Sequence, residues 1–118
     1  MIIKGYVRDR EPNKKQPALE LYFNDRSALP KGDREPIVLD LNGVCWQGTI
    51  NSTNPTNPPF VHTYLIQGIN RTRCNEVLLK LGLAENARIE FDLKGNTFRL
   101  MSIVDKSHWR PGNAPHER

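Results

Sequence analysis

Three histidines and a few carboxylates are the side chains in this sequence that could support catalysis or bind a metal ion. His62 falls in a strand-like run, whereas His108 and His116 fall in a C-terminal stretch with proline and glycine but no periodicity. Glu90 and Asp92 alternate with apolar residues, which places them on a solvated sheet face. The sequence contains no HExxH, CxxC, Walker or GxSxG motif. We therefore expect no catalytic residue, no metal site and no cofactor in this segment.

A different chemistry, nucleic-acid binding, is available to a first polar stretch that covers residues 8–16. Together with Lys4, this stretch gives residues 1–16 five positive and two negative charges, a local +3 out of a net +4. Arginine and lysine pair with phosphate or with the guanine edge in the major groove. The candidate DNA contacts in this stretch are Arg8, Asp9, Arg10, Asn13, Lys14, Lys15 and Gln16.

A second polar stretch, NSTNPTNPP at residues 51–59, is uncharged and rich in amides and hydroxyls. It separates two strand-like runs, although a hairpin needs only about two to five loop residues. Asparagine can donate and accept, which matches the adenine edge, and proline reduces the entropy that a loop loses on docking. The candidate contacts are Asn51, Ser52, Thr53, Asn54, Thr56 and Asn57, with His62, Arg71 and Arg73 nearby in the chain.

Each polar stretch taken singly is also typical of an ordinary solvated loop. Their combination on one domain, with positive charge concentrated in the first, favours binding to double-stranded DNA.

The elements that must position these stretches are mostly strands. Alternating or β-branched runs predict seven of them, with Asn42-Gly43 as a two-residue hairpin turn. The predicted strands cover residues 2–8, 18–23, 36–41, 44–50, 60–67, 87–93 and 97–103.

One segment, RTRCNEVLLKLGL, has the period of a helix instead. Its apolar residues at positions i, i+3, i+4 and i+7 are Cys74, Val77, Leu78 and Leu81. With Thr72 as the N-cap and Gly82 as the C-terminal stop, the spacing predicts a helix over residues 73–81. The element count indicates a mostly β fold, a small seven-stranded pseudobarrel with one or two short helices.

Composition indicates one globular domain, since the 118 residues are 37% hydrophobic and 25% charged. We assign the barrel to residues 1–104 and a tail or linker to residues 105–118. Cys45 and Cys74 lie in apolar-looking elements, which favours two buried free thiols over a disulfide. The N-terminal residues do not resemble a signal peptide, and no apolar run approaches the ~20 residues of a membrane span. We therefore expect a cytoplasmic protein without a membrane partner.

Several of these segments carry short motifs whose order is similar to that of the B3 DNA-binding pseudobarrel family, over residues 2–104. The matching residues are Gly43, Trp46, Tyr64, Gly68, Leu83 and Phe91. Two positions depart from the family pattern: Asn86 replaces a Gly-Asp turn, and Ile69 replaces an aromatic residue. The resemblance implies a domain that grips the DNA major groove with two arms, one after the first strand and one between the tryptophan and tyrosine strands. Those are the positions of the two polar stretches.

The resemblance also implies a setting for the domain. The chain lacks the GW pair of the plant transcription factors in this family, so it is most similar to the recognition or effector domains of bacterial restriction endonucleases. A nuclease domain would then follow the linker, and this segment would not cleave DNA itself.

Two alternatives remain open at this point. The first is a small OB-type barrel that binds single-stranded nucleic acid, which needs exposed aromatic residues on its sheet face. Its candidates are Tyr22, Phe23, Phe91 and Phe98, of which alternation buries at least half. The second is a barrel that binds a small ligand or a protein through the same loops.

Overall fold

Nine β-strands and one α-helix form in residues 1–107, the part of the chain that the computed structural model describes. The strands are β1 (Ile2–Asp9), β2 (Leu19–Phe23), β3 (Glu35–Leu41), β4 (Val44–Asn51), β5 (Phe60–Val61), β6 (Tyr64–Gln67), β7 (Asn70–Arg73), β8 (Arg88–Lys94) and β9 (Thr97–Asp105). The helix, α1 (Cys74–Lys80), lies between β7 and β8.

Strand β3 closes the sheet into a barrel. It pairs with β4 through an antiparallel hairpin and with β9 in parallel, so the strand order β3-β9-β8-β1-β2-β5-β4 returns to β3. Strands β6 and β7 form a hairpin that joins β4 beside β5. The predicted mostly β fold with a closed seven-stranded barrel is confirmed, and the described residues contain one helix.

The core lies inside the barrel because alternate residues of each strand point inward. In β1, for example, Ile3 and Val7 are buried while their neighbours face outward. Three phenylalanines from different strands meet at the centre: Phe23 lies 5.9 Å from Phe91 and 5.1 Å from Phe98, measured between ring centroids. All three side chains are fully buried.

Two asparagines adopt the left-handed conformation that tight turns require. Asn42 (φ 57°) and Gly43 (φ 87°) both have positive φ, as a type I′ hairpin turn demands, which confirms the predicted turn. Asn86 also has a positive φ, 73°. Asparagine tolerates this conformation better than most residues, so Asn86 fits this turn.

The helix ends as its sequence predicts. Gly82 has φ 78° and donates its N–H to the Leu79 carbonyl (2.9 Å), while the Leu83 N–H reaches the Leu78 carbonyl (3.2 Å). This pair of bonds is the Schellman motif, which satisfies carbonyls at the helix end. At the other end the predicted cap, Thr72, is wrong: the N-cap is Arg73, the last residue of β7, and it makes no side-chain capping bond.

Three further predictions are corrected. The strand predicted over residues 60–67 is divided into β5 and β6, since the chain turns at His62 and Thr63. The polar strand β7 was not predicted. Cys45 is exposed, whereas Cys74 is buried as predicted. The barrel's last strand reaches Asp105. Within the predicted linker, residues 108–118 lie outside the described residues, and they include His108 and His116.

Replacing Phe98 with alanine should lower the free energy of unfolding by about 3–5 kcal/mol, because it leaves a cavity against Phe23 and Phe91. A Phe98→Leu variant should lose less, since it keeps more of the volume. Urea denaturation measures both. The control is Ile69→Ala, at a fully exposed position, which should stay within about 0.5 kcal/mol of wild type. A Phe98→Ala loss no larger than that of the control would contradict the packing described here.

Candidate nucleic-acid interface

The two polar stretches form loops at opposite ends of strand β2. The first loop, residues 10–18, leads into β2 at Leu19. The second loop, residues 52–59, meets the other end, where the Phe23 N–H donates to the Pro59 carbonyl (2.9 Å). Five residues of strand span about 13–17 Å at ~3.3 Å per residue, close to the ~12 Å width of a DNA major groove. The loops therefore bracket one face of the sheet.

Asp9 closes the first loop and is a structural residue. Its side chain is buried, and Oδ1 accepts the N–H groups of Glu11 (2.9 Å) and Ala18 (3.0 Å). The Arg10 N–H also donates to the Ala18 carbonyl (3.0 Å). Because Asp9 is turned inward, its predicted role as a DNA contact is replaced by a role in holding the loop's two ends together. The other predicted contacts of this stretch are exposed: Arg8, Arg10, Asn13, Lys14, Lys15 and Gln16.

Two carboxylates moderate the positive charge of the first loop. Arg10 lies 3.2 Å from Glu20, and Lys14 lies 3.9 Å from Glu11. The two cations are largely exposed, so these pairs are weak and screened by solvent. They can exchange a carboxylate for a phosphate at little cost.

Asn51 and Ser52 hold the start of the second loop in place through hydrogen bonds. Both are buried: the Asn51 Nδ2 donates to Asp33 (2.7 Å), and its Oδ1 accepts the Thr53 and Asn54 N–H groups (3.1 and 3.0 Å). The Ser52 hydroxyl donates to the Pro30 carbonyl (2.6 Å). These two residues were predicted as DNA contacts, but their buried, bonded side chains support the loop instead.

Arg26 organises the same loop from outside it. Its guanidinium donates to the carbonyls of Ser52 (3.2 Å), Asn54 (3.0 Å) and Asn57 (3.0 Å). One side chain therefore satisfies three carbonyls that no strand or helix pairs. This role could not be predicted from sequence, because Arg26 lies in a non-periodic segment and its partners are backbone atoms.

The residues that the second loop presents to solvent are fewer than predicted. Thr53, Thr56 and Asn57 are exposed. Asn54 is half-buried, and its Oδ1 accepts both the N–H (2.9 Å) and the hydroxyl (2.8 Å) of Thr56. Asn57 is the exposed amide side chain of this loop and the best candidate for reading a base edge.

Between the loops, the outer face of the sheet carries a row of rings that we name the aromatic strip: Tyr6, Tyr22, Phe60 and His62. Tyr6 and Tyr22 lie opposite each other in the β1–β2 register and stack at 5.6 Å, with 19° between their planes. Phe60 lies opposite Tyr22 at 6.0 Å and touches His62 edge-on at 5.2 Å. Sequence reasoning considered Tyr22 but missed Tyr6 and Phe60, since their alignment depends on strand register.

Arg8 extends the positive charge onto the aromatic strip. Its guanidinium lies 5.7 Å from the centre of the Tyr22 ring. The Tyr22 hydroxyl donates to Glu20 (2.6 Å). Partial burial, reinforced by this hydrogen bond, raises the pKa of Tyr22 to about 12. Tyr22 therefore remains a neutral donor at physiological pH.

The three remaining predicted contacts lie outside both loops. Arg73, at the start of α1, shares a hollow with Arg10 and Gln16 of the first loop. Arg71 is exposed on β7 and lies 4.1 Å above the Tyr64 ring. His62 is half-buried, and its Nε2 donates to the Asp33 carbonyl (2.8 Å). The fold thus joins Arg73 to the first loop and His62 to the segment that supports the second.

Replacing Arg26 with alanine should loosen the second loop, because three carbonyls lose a charged donor. We expect faster amide hydrogen exchange at Thr53, Asn54 and Thr56, and a loss of about 1–3 kcal/mol in the free energy of unfolding. Lys31→Ala, which removes an exposed cation from the same segment, is the control. Equal exchange rates in the two variants would show that Arg26 does not hold the loop.

Alkaline titration should reveal the raised pKa of Tyr22. An unfolded tyrosine titrates near 10, whereas folded Tyr22 keeps its proton to about 12. The resulting stabilisation is complete below pH ~10 and is lost as the pH rises to ~12. Urea denaturation across this range should therefore show a steeper fall in wild type than in Tyr22→Phe. Glu20→Gln, which removes the carboxylate partner, should give an intermediate fall, and identical curves for all three proteins would refute the assignment.

The described residues contain no group of three or more His, Cys, Asp or Glu side chains able to hold a metal ion. In the same part of the chain, no helix is both long and apolar enough to cross a membrane. No family model, curated protein or solved structure matches this sequence.

Proposed function

We propose that this domain binds double-stranded DNA sequence-specifically, with its two loops entering the major groove. The observation that carries the proposal is the position of two polar loops at the two ends of one short strand, β2. The first loop supplies cations for phosphates, and the second supplies hydroxyls and an amide for base edges.

The resemblance to B3 domains supports the same proposal, since it attributes DNA contacts to the loops at these two positions. As part of this proposal, the domain is the recognition domain of a bacterial, cytoplasmic restriction endonuclease. DNA cleavage would then be carried out by a nuclease domain C-terminal to it.

The aromatic strip bears on the rival proposal, binding of single-stranded nucleic acid. Base stacking requires open ring faces. Tyr22 is flanked by the rings of Tyr6 and Phe60 and by the Arg8 guanidinium, and the Arg71 guanidinium lies over the Tyr64 ring. Phe23, Phe91 and Phe98 are inside the barrel. These contacts favour the duplex over the single strand.

The first test measures the dependence of duplex binding on salt. If about 4 to 6 phosphates are contacted, the slope of log K against log salt should be about −4 to −5. Lys14→Ala/Lys15→Ala should weaken binding to all duplexes and reduce the slope by about one per lost contact. The control is Lys80→Ala/Lys94→Ala, which removes the same charge from exposed positions on α1 and β8. Affinity that stays constant between ~50 and 200 mM salt would disprove the proposal.

The second test asks whether the second loop reads sequence, using a site selected from random duplexes. Asn57→Ala should cost about 1–3 kcal/mol on the selected site and leave affinity for random duplex unchanged. Asn70→Ala, an exposed amide on β7 outside both loops, is the matched control. If Asn57→Ala binds the selected site as tightly as the control does, the second loop does not read bases through this amide.

A further inference from the structure

A groove of about 730 Å³ lies on the outer surface between β3–β4 and the β6–β7 hairpin. It belongs to neither loop, although it adjoins the segment that supports the second one. Its volume is within the range of small-molecule sites, about 300–1,000 Å³.

The charged side chains that line this groove are all cationic. Arg34, Arg71 and His62 contribute to its lining, which contains no carboxylate side chain. Neither arginine forms an ion pair with another residue of the described chain. The His62 Nε2 already donates to the Asp33 carbonyl, so the two guanidiniums are the groups available to an anion.

The wall between these charges is largely apolar. Pro36, Val38 and Ile66 contribute to it. The exposed amide of Gln47 and the hydroxyl of Thr49 stand beside them and offer hydrogen-bond donors and acceptors. A bare phosphate would satisfy the arginines but leave this wall uncovered. A planar ring that carries hydrogen-bonding groups and a phosphate would cover the apolar wall and also reach the arginines.

We propose that the groove binds one nucleotide unit, with its phosphate at Arg34 and Arg71 and its base against the apolar wall. The Gln47 amide and the Thr49 hydroxyl face the base edge. This site goes beyond the proposed duplex binding, and a free mononucleotide tests it without any DNA.

The test is an NMR titration of the protein with adenosine 5′-monophosphate, adenosine and inorganic phosphate at equal ionic strength. The monophosphate should shift the backbone resonances of Gln47, Thr49 and His62, and should bind about tenfold or more tightly than adenosine or phosphate alone. Shifts that map away from the groove, or equal affinity for the three probes, would overturn the proposal.

Substitutions make the test specific. Arg34→Ala and Arg71→Ala should each weaken binding of the monophosphate about tenfold, whereas Lys80→Ala, an exposed cation on α1, should not. Both arginines are exposed, so thermal unfolding should be close to wild type in all three variants. If Arg34→Ala binds as Lys80→Ala does, the groove is not the site.

Competition identifies the source of the nucleotide. A duplex with one unpaired nucleotide that displaces the monophosphate, while a fully paired duplex does not, assigns the groove to a nucleotide of nucleic acid. A monophosphate that stays bound beside both duplexes assigns it to a free nucleotide. The two proposals fail separately, because duplex affinity is measured without the monophosphate and monophosphate affinity without DNA.

Discussion

The double pairing of β3, with β4 on one side and β9 on the other, is the constraint on which the rest of the structure depends. Closing the barrel gives β3 a partner on both sides and turns one face of the seven barrel strands inward. The inner positions must then be apolar, as Phe23 and Phe98 are. The outer positions can hold polar, charged or aromatic side chains. The connections between strands lie at the ends of the barrel. The two loops and the aromatic strip occupy those outer and end positions.

The second loop illustrates why an amide-rich segment is not simply a set of contact residues. A loop of this length leaves many backbone groups without partners in a sheet or helix. Asn51 and Arg26 supply those partners, and the Ser52 hydroxyl bonds the start of the loop to the Pro30 carbonyl, which fixes the backbone before any ligand arrives. A loop already held in one conformation loses little entropy on binding. Some residues of this segment therefore hold the loop in place, and under the proposed function their exposed neighbours contact the DNA.

Much of the fold could be predicted from local patterns. Alternation identified seven strand regions, Asn42-Gly43 identified a turn that depends on two positive φ angles, and Gly82 identified the end of the helix. These features are encoded within a few consecutive residues. The polar strand β7 could not be predicted in this way, because NRTR has no alternation and is extended by its pairing with β6.

The candidate site was predicted less completely, for a related physical reason. The exposed residues of both loops could be recognised from their types. The burial of three others depends on hydrogen bonds that form only in the folded chain: Asp9 with Ala18, Asn51 with Asp33 and Ser52 with Pro30. The aromatic strip and the groove each combine side chains from several strands, so they exist only once the register is set.

Asp33 joins the support of the second loop to the wall of the groove. Its carboxylate accepts from Asn51 and its carbonyl accepts from His62. A ligand that orders this residue from either side therefore reduces the conformational freedom left to be lost on the other. Thermodynamic linkage makes such an effect mutual, so occupancy of one site would change affinity at the other by the same factor in both directions. If both surfaces bind ligands as proposed, Asp33 is a residue through which the two sites would be coupled.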